Sequence, residues 1–261
     1  MNSARVFFVG GFMSFRALFA WQNPTFYIPT MLGHPLFQVL FFSYLGRFSH
    51  VRNDAFYVVG NAVQVSAMSG VYGVAMTVGG ERWTQTLAPL LATPANRMAL
   101  FLGRALPHIL NGFVVSAFGF LVGRLLLDFH PPVSSLPALA LVVLVSTTAC
   151  TAFGLVVGAF GLRLRDVFTF SNPAYFLMLL LCGVNVPLSA LPHWMQVVGR
   201  GMPLTHGIEA ARKIASGASL SSVRGLIVTE LVVGACYFAA AYVLLRVFEA
   251  EGRRRASLEL V

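Results

Sequence analysis

The chain has 261 residues, 57% of them hydrophobic and only 10% charged, with a net charge of +9 and a mean hydropathy of +0.77. A soluble domain carries about a quarter charged residues, so this chain has too little polar surface to cover a soluble globule. Its positive balance is arginine scattered between apolar runs, with Lys213 the one lysine. That is not the basic face of a nucleic-acid-binding module; in a membrane protein such charges set orientation and meet anionic lipid headgroups.

Residues 1–22 read as an amphipathic helix lying in the headgroup plane. Phe8, Phe12, Phe15 and Phe19 recur at helical spacing, while Arg5, Ser14 and Arg16 fall elsewhere on the wheel. Arg5 before VFFVGGFM also suggests a signal peptide, but Arg16 follows closely and no small-x-small site precedes Trp21. Six spans follow, at about 26–45, 55–78, 100–125, 136–160, 168–186 and 226–245, each an apolar run near membrane length. With both termini inside, eleven basic residues lie on the inner side and seven on the outer, a positive-inside bias. The polar stretch 80–97 and the turn carrying Arg163, Arg165 and Asp166 are then cytoplasmic. The expected fold is an all-α integral membrane protein with a single transmembrane domain over 1–261.

Residues 187–217 are too polar and proline-broken for a span, yet too apolar for a free loop. Pro192 opens a short helix carrying Trp194, and Pro203 opens a second that ends near Gly217. The pair reads as a helical hairpin dipping into the outer leaflet, where irregular backbone must be covered by protein or by a wet cavity. Glu209 and Arg212, three residues apart, are placed to pair on one helix face and brace it, or to gate cargo exit.

Chemistry-bearing residues are sparse. The six histidines are isolated, and no metal or nucleophile constellation stands out. Cys150, Cys182 and Cys236 lie within apolar runs and read as small core residues. His108 and Asn111 sit one turn apart in the third span, fit for a helix–helix hydrogen bond. Glu230 in the sixth span is the best intramembrane ionisable residue, with Arg224, Arg212 or Lys213 as expected partners. GFLVG at 119–123 and GLVVG at 154–158 allow close helix packing. No Walker A run exists, so if ATP drives this chain, another polypeptide binds it.

Four segments together resemble the permeases of ABC-2 type transporters. Trp21-Gln22-Asn23-Pro24 resembles that family's W-x-N-P turn before the first span. ERWTQTLAPLLATPANR resembles its E-R-x-x-G-T-L-E-x-L-L-x-T-P-x-x-R segment. LLCGVNVPLSALPHWMQ and MPLTHGIEAARKIASG resemble its S-G-x-x-x-P-L-x-x-L-P-x-W element and its N-P-L-T-x-x-I-E-x-x-R ending. The chain departs from the pattern at Gln85, Ala88, Pro89 and Cys182, and Pro89 breaks or bends the helix that begins near Glu81.

The resemblance implies a permease subunit of an ATP-driven exporter, paired with a second permease as a homodimer or heterodimer, in a bacterial plasma membrane. An ABC ATP-binding subunit would carry ATP and magnesium, and this chain would hold no cofactor. The segment 80–97 would be the coupling helix, with Trp83 as its aromatic anchor, Glu81 and Arg82 as charge pairs, and Thr86 and Leu87 beside them. The same residues also suit a membrane interface, where Trp and Arg are favoured. Arg163, Arg165 and Asp166 would form a second ATPase contact. The cargo would be a hydrophobic, drug-like metabolite or alternatively a lipid-linked glycan. An ion-coupled secondary transporter is the rival reading, but no inverted repeat or set of midplane acids supports it.

Overall fold

In the computed structural model, described for residues 3–20, 28–49, 52–79, 97–163 and 166–255, all regular structure is helical. Helix α1 spans Ser3–Ala20, and α2, Gly33–Ser49, follows a wide turn at Ile28–Leu32. Helix α3 runs Asp54–Gly79, α4 Arg97–Leu126 and α5 Leu136–Arg163. The remainder are α6, Phe168–Leu181; α7, His193–Gly201; α8, Thr205–Ala215; and α9, Arg224–Arg255. Four stretches among the described residues are long and apolar enough to cross a membrane: Asp54–Gly79, Ala99–Leu126, Val133–Gly161 and Leu220–Phe248. Helix α2 has 17 residues and α6 has 14, so each is shorter than those four.

Local chemistry sets the helix ends. Asn53 accepts a hydrogen bond from the Phe56 N–H at 3.2 Å and caps α3, and Asp54 favours its positive end. Arg47, at the end of α2, donates through Nε to Asp54 at 2.8 Å, which fixes the α2–α3 turn. As the prolines predict, Pro192 stands at the N-cap of α7, and α8 starts just after Pro203.

Helix α3 forms the centre. Val58, Val59, Val63, Ala67, Val71 and Ala75 are all buried, and α4, α5, α6 and α8 contribute most of the rest of one core, with Val39 of α2 and connecting residues such as Leu127, Phe129 and Val184. Between Met68 and Gly73 the helix loosens into a wider turn, a form found mostly as single-turn bulges inside α-helices. There Gly70 lies so near α5 that a methyl on Gly154 would overlap the Gly70 carbonyl oxygen. Both small-residue motifs pack as the sequence suggests: Gly119 and Gly123 face Ala62 and Val58 of α3, while Gly158 faces Ala75 and Val78. Helix α1 lies against α4, with Gly11 on Gly103, and leaves Phe8, Phe12 and Phe15 exposed together. The Phe19 side chain lies outside the described residues. Cys150 and Cys182 are buried as expected, but Cys236 is exposed because it falls on the outward face of α9.

Candidate functional site

The hairpin end of the molecule is held by two charged side chains. Glu230 of α9 is completely buried, and it meets backbone, not a cation. The Leu204 N–H donates to its Oε1 at 2.5 Å and the Gly207 N–H to its Oε2 at 3.1 Å. Leu204 is the N-cap of α8 and Gly207 lies in its first turn, where helix N–H groups lack intrahelical partners and the helix dipole is positive. Leu204 itself takes φ 90°, in the left-handed region, at the N-cap of α8. The expected ion pairs of Glu230 with Arg224, Arg212 or Lys213 are therefore replaced by a cap made across helices. Charge-assisted bonds from backbone N–H groups are among the strong ones and satisfy both carboxylate oxygens away from water.

Arg212 serves the other side of α8. Its Nη1 donates to the Gly183 carbonyl at 2.8 Å and its Nη2 to Val184 at 2.7 Å and Phe56 at 3.1 Å. The guanidinium also lies 3.5 Å from the centroid of the Phe56 ring. One planar cation thus ties α8 to the start of α3 and to the segment after α6. The expected Glu209–Arg212 pair does not form, since Arg212 points inward; Glu209 instead pairs with exposed Lys213 one turn on, at 2.8 Å. In the same hairpin Trp194 is exposed, whereas Pro203 is buried.

Deeper in the bundle, His108 and Asn111 of α4 face α3. The Thr77 hydroxyl donates to the Gly73 carbonyl at 2.8 Å and lies 2.8 Å from His108 Nε2, so Nε2 carries the proton that it accepts. Asn111 donates to the Ser69 hydroxyl at 3.0 Å, which donates to the His108 carbonyl at 2.9 Å. These are helix–helix bonds, and a side chain at Gly73 would collide with the imidazole.

A third polar group was not read from the sequence. Gln38 of α2 donates to Asn61 of α3 at 3.0 Å and accepts from the Tyr175 hydroxyl of α6 at 3.0 Å. Asn61 in turn donates to Asn185 at 2.8 Å and to the Tyr57 carbonyl at 2.9 Å. Nearby, the Tyr72 hydroxyl donates to Asn172 at 2.7 Å on an exposed face. The available signal was an amide inside an uncharged run, as at Gln38 and Asn61, because such groups must find partners in hydrocarbon.

Glu81, Arg82, Trp83, Thr86 and Leu87 lie outside the described residues, as do Arg165 and the whole 80–96 stretch. Arg163 is the last residue of α5. Asp166 is exposed just before α6 and accepts from the Thr169 hydroxyl at 2.6 Å and the Phe168 N–H at 2.9 Å. These bonds, that of Thr169 first, hold its carboxyl below the usual carboxylate range. Among the described residues no cluster of His, Cys, Asp and Glu could hold a metal ion.

The fold and these sites define an all-helical chain with several membrane-length helices, an internal polar seam and a hairpin locked onto the bundle. Residues 12–215 match the ABC-2 type transporter family, and the chain belongs to it. Over 200 residues it is 26% identical to proteins named probable multidrug ABC transporter permease YbhR, from Escherichia coli K12 and O157:H7. That alignment covers 73% of this chain and 52% of each relative, so the chain spans about half the length of the curated relatives it matches.

Proposed function

We propose that this chain is the permease subunit of an ATP-driven exporter that moves an amphiphilic or hydrophobic small molecule across a bacterial plasma membrane. Family membership over residues 12–215 carries the reading, and the multidrug name of its relatives supports the cargo class. With no P-loop in the sequence, ATP and magnesium belong to a separate ATP-binding subunit. In this reading α2 and α6 complete six spans with the four longer helices, and both termini are cytoplasmic. Two permeases form the path, and the coupling segment 80–97 receives the push of the ATPase. Arg163, Arg165 and Asp166 make a second contact. Arg212 and Glu230 fix α8 to α3 and α9 respectively, which favours movement of the hairpin with the bundle when the subunits rock.

The test co-expresses the chain with the ATPase of a neighbouring gene and measures co-purification and ATP-dependent cargo uptake into inside-out vesicles. The double variant Glu81→Ala, Trp83→Ala should weaken ATPase retention by about thirtyfold, the effect of removing a hot spot worth about 2 kcal/mol. Unchanged retention and transport would remove the docking assignment. Transport that persists without any ATPase would overturn the exporter reading.

A further inference from the structure

Between α4 and α5 the chain does not turn directly. The backbone N–H groups of Leu127 and Phe129 both donate to the Gly123 carbonyl, at 3.1 and 3.2 Å, and Asp128 takes φ 54° to allow it. Leu127 and Phe129 are thereby tucked inside, and the Phe129 ring stacks on Phe120 with centroids 6.2 Å apart. The inserted ring holds α4 off α5 and leaves a groove of about 250 Å³. Phe113, Phe120, Leu121, Leu136, Leu139 and Val143 line it, and Arg124 is the one charged residue there. Leu121 and Leu136 are 48% and 43% exposed, so the groove opens sideways, into the hydrocarbon for a helix of this length.

Two features decide what fits. The groove lies below the roughly 300–1,000 Å³ of pockets that hold drug-sized ligands, and its walls offer almost no hydrogen-bonding groups, which suits a single alkyl chain. Arg124 is exposed, and among the described residues no carboxylate lies within ion-pair distance of it, whereas Arg47 is neutralised by Asp54. A cation beside an alkyl slot calls for a molecule with a negative head and an apolar tail.

We propose that the groove holds one acyl chain of an anionic glycerophospholipid whose phosphate sits on Arg124. The site does not depend on the exporter reading. It is tested on the full chain purified in a neutral detergent, with phosphatidylglycerol or phosphatidylcholine added and retained lipid counted by native mass spectrometry. Wild type should keep one phosphatidylglycerol per protomer in preference to phosphatidylcholine. Arg124→Ala should weaken retention about fivefold, the equivalent of about 1 kcal/mol per basic residue at an anionic lipid surface. Ala117→Phe, which adds bulk to the groove from an exposed position, should abolish retention with the thermal transition unchanged. Arg200→Ala, at an exposed arginine elsewhere, should change nothing. Equal retention of the two lipids, equal retention by wild type and both groove variants, or an equal loss in Arg200→Ala would each overturn the site in favour of ordinary annular lipid.

Discussion

Helices α3 and α9 are both of membrane length, yet they sit at opposite extremes: 72% of the apolar stretch of α3 is buried, against 11% of that of α9. The buried helix is the one studded with polar groups, including Asn61, Gln64, Ser66 and Ser69, all at most 7% exposed. The outer one is almost continuously apolar, with Val228, Leu231, Val232, Phe238 and Val243 exposed. In water that order would be reversed. In hydrocarbon, an aliphatic side chain gains little by leaving lipid for protein, so close packing and hydrogen bonds select the central helix. Helix α3 offers both, through the glycines against α5 and the amide network to α2 and α6. Helix α9 offers one buried polar side chain, Glu230, and Gly234 set against Ala149.

That single side chain is where the contrast should break most sharply. Glu230→Ala leaves the first-turn N–H groups of α8 without an acceptor in a dry environment, a loss of about 3 kcal/mol when a charge-assisted cap is removed from buried donors. The expected outcome is a lowered thermal transition of the detergent-solubilised chain, together with faster proteolysis within 187–217. Glu230→Gln keeps one acceptor oxygen and should recover part of both. If Glu230→Ala behaves like a substitution on the outward face of α9, the helix is not secured by its carboxylate.

The next largest effect belongs to α3. Asn61→Leu removes the amide that joins Gln38, Asn185 and the Tyr57 carbonyl, and should cost about 1–2 kcal/mol, the range for hydrogen bonds between membrane helices. The same thermal measurement reads it. A neutral result would mean that packing alone, through Val58, Val59 and Val63, keeps α3 at the centre.

How much of this was legible follows from how far each interaction reaches along the chain. Spans α3, α4, α5 and α9 show as long apolar runs with few charges, and the hairpin helices show through Pro192 and Pro203, because a missing N–H acts locally. The glycine motifs reveal close approach, since Gly154 and Gly158 share one helix face. What could not be read was partner choice. Arg212 binds the carbonyl of Phe56, 156 residues away, and Asn61 binds Asn185, 124 residues away. Backbone carbonyls and N–H groups carry no sequence signature, so Glu230 suggested an ion pair with Arg224, Arg212 or Lys213, and Arg212 one with Glu209, whereas both took main-chain partners. The docking role proposed for Glu81–Leu87 rests on resemblance alone, since those residues lie outside the described ones.

The smallest expected effect lies on the outward face of α9 and sets the scale for the others. Leu231→Ala and Val232→Ala remove side chains that are 50% and 55% exposed, so each should shift stability by no more than about 0.5 kcal/mol. Val63→Ala, a similar truncation in a fully buried position of α3, should cost at least about 1 kcal/mol, because the cavity it leaves has no lipid to fill it. Thermal scans of the three variants in one detergent compare them directly. The ratio separates two environments that look alike in composition, lipid-facing apolar surface and packed apolar core. If Val232→Ala costs as much as Val63→Ala, a protein surface covers this face of α9. The contrast between the two helices would then be one of partner, not of burial.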